Sequence, residues 1–158
     1  MARSDNSKFL VLLADDSEED GLLLEMAFGR LDRLRLLPRM ADGEQTIAYL
    51  NGDGKFGDRR NYPFPDLLLL DLKMPRMDGF QVLEWLQANP FPNLVITVLS
   101  GSDWEVDVSR ARAMGAHFFQ TKQIGNRRQF NALKALQRHL VRNRLLADES
   151  FASGEILE

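Results

Sequence analysis

The chain contains no cysteine and only two histidines. Disulfide bonds, thiolate metal sites and cysteine nucleophiles are therefore excluded. No apolar run approaches the roughly 18 residues that a membrane-spanning helix requires, and Met1–Lys8 holds no apolar signal segment. We therefore expect a cytoplasmic protein with no membrane partner. The net charge of −3 also disfavours nucleic acid as the main partner.

The rest of the composition is typical of one globular domain. Of the 158 residues, 44% are hydrophobic and 27% are charged, which is enough for a sizeable core. The charges are unevenly distributed. Six acids and no base lie between Asp15 and Glu25, whereas nine bases and two acids lie between Glu105 and Leu145. Such charge runs are either solvated faces or surfaces for a partner of opposite charge.

Apolar runs of strand length alternate with helical patterns along the chain. The predicted strands are Phe9–Leu13, Leu34–Met40, Asp66–Asp71, Leu94–Leu99 and Ala116–Gln120. The predicted helices are Ser17–Gly29, Glu44–Leu50, Phe80–Asn89, Asp103–Met114 and Arg127–Arg144. The first helix has a capping-box-like start at Ser17 and Asp20. Its apolar side chains on one helical face are Leu22, Leu23, Met26 and Ala27.

Strands that alternate with helices predict an α/β fold, a right-handed and doubly wound parallel sheet of five strands with five helices. Pro38 has no N–H to donate, so the second strand must lie at an edge of the sheet. The strand order 2-1-3-4-5, which is the flavodoxin-like arrangement, satisfies this requirement. In that order strands 1 and 3 meet at the crevice where ligands bind.

Two segments show no periodic pattern. The stretch from Asn51 to Pro65 is rich in Asn, Gly and Pro and is predicted to be a surface loop. Residues 145–158 form a C-terminal tail that has little to bury, and we expect it to be disordered. The domain itself is expected to span residues 8–144.

Three acids are expected to converge at the crevice. Asp15 and Asp16 follow the first strand, and Asp71 ends the third. Clustered carboxylates repel one another, which raises the pKa of at least one of them unless a cation compensates. Mg²⁺ prefers oxygen ligands, commonly one or two carboxylates together with water and phosphate oxygens. The sequence therefore predicts a magnesium site.

Two further polar groups follow neighbouring strands. Ser100 comes after the fourth strand and Lys122 after the fifth. A hydroxyl and an ammonium can each meet a phosphoryl oxygen, and phosphoryl transfer relies on positioning and charge neutralisation. A carboxylate nucleophile would make this covalent chemistry, with an aspartyl phosphate as the product.

These residues stand in motifs that resemble the receiver domain of two-component response regulators, over nearly the whole of residues 8–144. The string around Asp71 is the most specific of them. The motifs are Ala-Asp15-Asp16-Ser, Leu-Leu-Asp71-Leu-Lys-Met-Pro-Arg-Met-Asp-Gly79, Val-Leu-Ser100-Gly-Ser and Gly115-Ala-His-Phe-Phe119-Gln-Thr-Lys122. The family usually has proline where Gln123 follows the lysine.

The resemblance implies a role for each residue. Asp71 would be the phosphoacceptor, and Mg²⁺ would be held by Asp15, Asp16, Asp71 and the backbone carbonyl of Lys73. In the same way, the switch and phosphate-contacting residues would be Ser100, Phe119 and Lys122. The resemblance also implies a signalling domain that is not an enzyme beyond self-phosphorylation and slow self-dephosphorylation.

The resemblance further implies a sensor histidine kinase as phosphoryl donor. The long loop before the third strand, with no output domain after the last helix, resembles the small regulators paired with phytochrome-type kinases. The signal would then leave by contact with a downstream protein or by self-association, through the face of the fourth helix, fifth strand and last helix. This face is basic, and Leu133, Leu136 and Leu140 would pack the last helix inward.

Two alternatives belong to other functional classes. One is a pseudo-receiver, a scaffold that never becomes phosphorylated. The other is a phosphohydrolase that uses an aspartate nucleophile and Mg²⁺. Such enzymes usually carry the nucleophile after strand 1 with a second acid two residues later, and Asp15-Asp16-Ser17 does not fit that pattern.

Overall fold

The computed structural model describes residues 7–101, 105–122 and 127–153. The strands are β1 (Phe9–Ala14), β2 (Leu34–Leu36), β3 (Leu67–Asp71), β4 (Val95–Ser100) and β5 (Phe118–Thr121). The helices are α1 (Glu18–Phe28), α2 (Gly43–Asn51), α3 (Gly79–Ala88), α4 (Glu105–Ala113) and α5 (Arg127–Ser153). A short 3-10 helix, Gly54–Gly57, lies between α2 and β3.

The five strands form one parallel sheet in the order β2-β1-β3-β4-β5. All residues of the two central strands β1 and β3 are buried, because helices cover both faces of the sheet. Two separate clusters of apolar side chains fill the two faces. The predicted α/β fold and strand order are confirmed, and the carboxyl ends of β1 and β3 are adjacent as expected.

The edge strand is shorter than the sequence predicts. β2 ends at Leu36, and Pro38 lies just outside it. The chain rejoins β1 at Met40, which forms an isolated bridge with Ala14. Because proline cannot donate to the ladder, the pairing stops before it. The edge position was predicted correctly, but the strand does not run on to Met40.

The apolar face predicted for α1 is wrong in part. Leu22 and Met26 are 58% and 72% exposed, whereas Leu24 and Phe28 are buried. Apolar side chains occur on more than one side of this helix, so periodicity alone does not choose the inward side. The direction in which the chain leaves β1 decides which of them meets the sheet.

The segment before β3 is packed more closely than a loose surface loop. The rings of Phe56 and Tyr62 lie 5.1 Å apart, and both contact Tyr49. Arg59 donates hydrogen bonds to the carbonyls of Tyr49 and Leu50 at the end of α2, at 2.9 and 3.0 Å. These contacts hold the segment against the C-terminal end of α2.

The last helix is longer than expected. α5 continues past Arg144 to Ser153, and the predicted inward packing of Leu133, Leu136 and Leu140 is confirmed. The final five residues lie outside the described part of the chain, as do the predicted start of the fourth helix at Asp103 and the unusual Gln123.

Candidate functional site

Three carboxylates meet at the carboxyl ends of β1 and β3. Among the described residues, Asp15, Asp16 and Asp71 each offer an oxygen, and these atoms all lie within 4.8 Å of one another. Asp15 is fully buried and Asp71 is 4% exposed, whereas Asp16 is exposed. The structure thus brings together the acids that the sequence singles out.

The backbone of Asp15 is held by the segment that follows β2. Its N–H donates to the carbonyl of Met40 at 3.0 Å, and its carbonyl accepts from Arg39 Nη1 at 2.8 Å. Its Oδ1 accepts from the N–H of Ser17 at 2.9 Å. A Cβ on Gly21 would lie 2.8 Å from Arg39 Cδ, so the glycine in α1 leaves the path of the guanidinium open. Sequence reasoning missed Arg39 as a support of the acidic pair.

The turn after β3 folds back over Asp71. Asp71 Oδ1 accepts from the N–H of Lys73 at 3.2 Å, and the N–H of Gly79 donates to the carbonyl of Leu72 at 3.1 Å. A Cβ on Gly79 would clash with the carbonyl of Asp71. Only glycine fits this close approach, which is a physical reason for the glycine that ends the motif around Asp71.

Lys122 joins the acids from the end of β5. The backbone N–H of Lys122 donates to the backbone carbonyl of Ser100 at 2.7 Å. Its Nζ lies 2.8 Å from Asp15 Oδ2, 2.8 Å from Asp20 Oδ2 and 3.2 Å from Asp71 Oδ2. Asp20 was treated in the sequence as part of a helix start. Its spacing from Asp15 and Asp16 could not have shown this contact, because those two acids precede α1, which begins at Glu18.

The pKa values of Lys122 and Asp71 reflect this crowding of charge. Burial lowers the pKa of Lys122, but its contacts with Asp15, Asp20 and Asp71 outweigh burial and raise it above the ordinary value. The pKa of Asp71 is raised, chiefly by burial and also by the charge of Asp15, against the opposing effects of the Lys73 N–H and of Lys122. Burial thus disfavours the charged form of Asp71, while the acids around Lys122 favour the charged form of the lysine.

These residues fit a hard divalent cation. The donor set consists of carboxylate oxygens from Asp15, Asp16 and Asp71, the type that Mg²⁺ prefers. Asp15 Oδ2 is buried, and its contact among the described groups is the ammonium of Lys122 at 2.8 Å. An oxygen held by an ammonium is suited to exchange one cation for another.

Two further residues of the predicted site, Ser100 and Phe119, lie within strands β4 and β5. Ser100 ends β4 and is 1% exposed. Phe119 lies in β5 opposite Val98, half-buried, with the guanidinium carbon of Arg112 5.1 Å from its ring centre. Phe119 is therefore not part of the acidic cluster. It lies between the core and Arg112 of α4.

The family model described as "Response regulator receiver domain" matches residues 11–134 of the chain. The chain belongs to the response regulator receiver domain family. The resemblance that the motifs indicate is thereby confirmed. The comparisons give no support to the pseudo-receiver or the phosphohydrolase.

Other receiver domains are similar over most of their length. Response regulator Rcp1 from Synechocystis sp. is 28% identical over 140 residues, 87% of this chain and 92% of that protein. The crystal structure of response regulator RPA3017, in red light signaling of R. palustris, is 33% identical with a TM-score of 0.72, covering 80% of this chain and 90% of that one. The Mn²⁺-bound form of Rcp1 is 27% identical with a TM-score of 0.67, covering 82% and 91%.

Among the helices of the described residues, none is both long enough and apolar enough to cross a bilayer.

Proposed function

We propose that this receiver domain accepts a phosphoryl group on Asp71 and signals by the conformational change that follows. The observation that carries the proposal is the environment of Asp71. Its carboxylate is buried beside two further acids and an ammonium, at the crevice where ligands bind in this fold. A nucleophile so surrounded matches phosphoryl transfer, where charge neutralisation is the main requirement.

Each neighbour has a part in that reaction. A carboxylate oxygen of Asp71 attacks phosphorus, an acyl phosphate bond forms, and the bond from phosphorus to the donor breaks. Mg²⁺, when bound by Asp15, Asp16, Asp71 and the carbonyl of Lys73, supplies positive charge for the phosphoryl oxygens. Lys122 offers an ammonium for one of them, and Ser100 a hydroxyl.

The test is labelling with acetyl phosphate and Mg²⁺, followed by mass spectrometry of the intact chain. Wild type should gain one phosphoryl group, and Asp71→Asn should gain none. Asp66→Asn is the matched control, because Asp66 stands just before the same strand, at its opposite end, and should leave labelling intact. Undiminished labelling of Asp71→Asn would refute the assignment.

The same preparation separates the two alternative functions. Beryllofluoride with Mg²⁺ mimics an aspartyl phosphate and should change the amide spectrum of a phosphorylation-operated domain. A scaffold that is never phosphorylated would not respond. A phosphohydrolase would instead turn over small phosphoesters, which we do not expect here.

We further propose a histidine kinase as phosphoryl donor, of the phytochrome type. The support is the similarity to a regulator in red light signaling of R. palustris. The test is transfer from a purified, radiolabelled phytochrome-type kinase. Transfer should be faster than from a histidine kinase of another type at equal concentration, and equal rates would contradict the pairing.

The output surface that we propose consists of α4, β5 and α5. Its exposed bases include Arg128, Arg138 and Arg142, which suits an acidic or amphipathic protein or a second copy of the chain. Beryllofluoride should change self-association in sedimentation or hydrogen exchange within residues 105–144. Arg138→Glu should weaken the partner contact, whereas Arg60→Glu, an exposed base elsewhere, should not.

A further inference from the structure

Asp20 contacts the candidate site without being one of its three converging carboxylates. Its Oδ2 lies 2.8 Å from Lys122 Nζ, as does Asp15 Oδ2, while Asp71 Oδ2 lies 3.2 Å away. An ammonium has three N–H donors, so three acids can share all of them. One lysine therefore links the first turn of α1 to two acids of the cluster.

The start of α1 fixes the position of Asp20. Ser17 Oγ accepts from the N–H of Asp20 at 3.1 Å, while the N–H of Ser17 donates to Asp15 Oδ1 at 2.9 Å. In a full capping box the third helical residue would accept from the N-cap N–H, as Gln81 does at the start of α3. At α1 the side chain of Asp15 has taken that N–H. The carboxylate of Asp20 is thereby available to Lys122, and the predicted capping box is only half formed.

The contact is more than a solvated ion pair. The side chain of Lys122 is 13% exposed and that of Asp20 is 24% exposed, whereas Glu19 in the same helical turn is exposed. Charges that are removed from water in this way are screened less by salt and solvent. The Asp20–Lys122 pair is therefore buried to a degree closer to that of the site than to that of the surrounding surface.

A cation at the cluster and the ammonium of Lys122 compete for Asp15. The Oδ2 of Asp15 is buried and has its short contact with Lys122. Two positive charges at neighbouring positions repel each other, so the ammonium has to withdraw from Asp15 when a divalent cation binds there. Asp20 offers it a second anion on the outer side.

We propose that Asp20 is a positioning residue for Lys122, which it holds at the edge of the site. The ammonium then releases Asp15 to the cation and stays within reach of Asp71. This inference rests on the proposed function, because it concerns the same acids and the same lysine. Without Asp20 the partners of the ammonium among the described residues are Asp15 and Asp71, and it competes with the cation for both.

The test is a double-mutant cycle on the affinity of the full chain for Mg²⁺, measured by isothermal titration with magnesium chloride. Asp20→Asn should lower the affinity about tenfold, as the loss of supporting partners of a metal site commonly does. In a Lys122→Met background the same change should have no effect beyond that of Glu19→Gln. Glu19→Gln is the matched control, since it removes one charge from the same turn. Asp20→Glu should restore affinity.

A purely long-range effect of the Asp20 charge makes the opposite prediction. The fall would then be as large or larger when Lys122 is absent, and that result overturns the proposal. So does a fall for Glu19→Gln equal to that for Asp20→Asn. Lys122→Gln repeats the cycle with a polar neutral side chain in case the methionine disturbs the fold.

Failure of this inference and failure of the proposed function give different results. If wild type neither binds Mg²⁺ nor gains a phosphoryl group on Asp71, both are wrong. If wild type does both and the cycle shows no coupling between Asp20 and Lys122, only the role of Asp20 is wrong.

Discussion

Arg39 Nη1 donates a 2.8 Å hydrogen bond to the backbone carbonyl of Asp15, and it reaches that carbonyl across Gly21. The bond joins the segment after β2 to the residue that begins the acidic site. It also brings a positive charge close to the cluster without contact to any carboxylate of the three. The supports of the site thus come from the segment after the edge strand as well as from the central strands.

Gly21→Ala tests this support. In an exposed helix interior the change is worth about 1 kcal/mol of stability. Here the added Cβ would lie 2.8 Å from Arg39 Cδ, so the side chain of Arg39 has to move and its hydrogen bond is lost. In urea unfolding, Gly21→Ala should therefore raise the free energy of unfolding only in an Arg39→Ala background. A full gain in the chain that keeps Arg39 would mean that the bond contributes nothing.

Asp16→Ala should weaken Mg²⁺ binding by about tenfold or more, as loss of a metal-site partner does. The reason is that its carboxylate is one of three within 4.8 Å. Isothermal titration measures the change, and Glu19→Ala, which removes a neighbouring exposed acid, is the control. Equal affinities of Asp16→Ala and wild type would argue against the site.

Thr97 and Thr46 make a matched pair for stability. Both are fully buried, but Thr46 Oγ1 donates to the carbonyl of Asp42 at 2.8 Å, whereas Thr97 Oγ1 has no hydrogen-bond partner among the described groups. Valine has the same shape without the hydroxyl. Thr46→Val should therefore cost about 1 kcal/mol of the free energy of unfolding, and Thr97→Val should raise it by about 1 kcal/mol. Urea denaturation measures both, and a loss for Thr97→Val would contradict the prediction.

The raised pKa of Asp71 makes the stability of the protein depend on pH. Burial is the main cause, and the ordinary value is 3.8. Because folding favours the protonated acid, the charged form costs stability, and that cost appears as the pH rises from 3.8 through the folded pKa. It is absent at lower pH.

Asp71→Asn removes this cost. In magnesium-free buffer the variant should be more stable than wild type at neutral pH, and the difference should disappear below pH 3.8, the ordinary pKa. Glu84→Gln, at an exposed acid of α3, should show no such trend. A variant that is less stable than wild type at neutral pH would show that the contacts of Asp71 outweigh its burial.

Ser100→Ala should separate phosphorylation from its conformational effect. We expect labelling by acetyl phosphate to persist, while the response of Phe119 and its neighbour Arg112 to beryllofluoride is reduced. A complete switch from 1:99 to 99:1 needs about 5.5 kcal/mol of preference, so the loss of one hydroxyl contact should leave a mixture. Amide spectra measure this, with Ser109→Ala on the exposed side of α4 as control. Identical shifts in Ser100→Ala and wild type would disprove the coupling.

The sequence by itself determined the fold class, the strand order and the acids of the site. Buried strands such as Phe9–Leu13 are recognisable because both of their faces are apolar, and Pro38 limits its strand to an edge. The strand order places the carboxyl ends of the first and third strands next to each other. Asp15, Asp16 and Asp71 stand at those ends, so the strand order also predicts that they lie close together. These inferences depend only on local patterns and on the connection rules of parallel sheets.

Only the tertiary structure decided which side chains support those acids. Asp20 reaches Lys122 because Asp15 has taken the N–H that a capping box would offer, and Arg39 reaches Asp15 because Gly21 leaves space for it. The inward side of α1, where Leu24 is buried and Leu22 is not, was decided in the same way. Such contacts join residues from different elements, and their geometry depends on how the elements pack. The periodicity and spacing of residues in the sequence therefore do not predict these contacts.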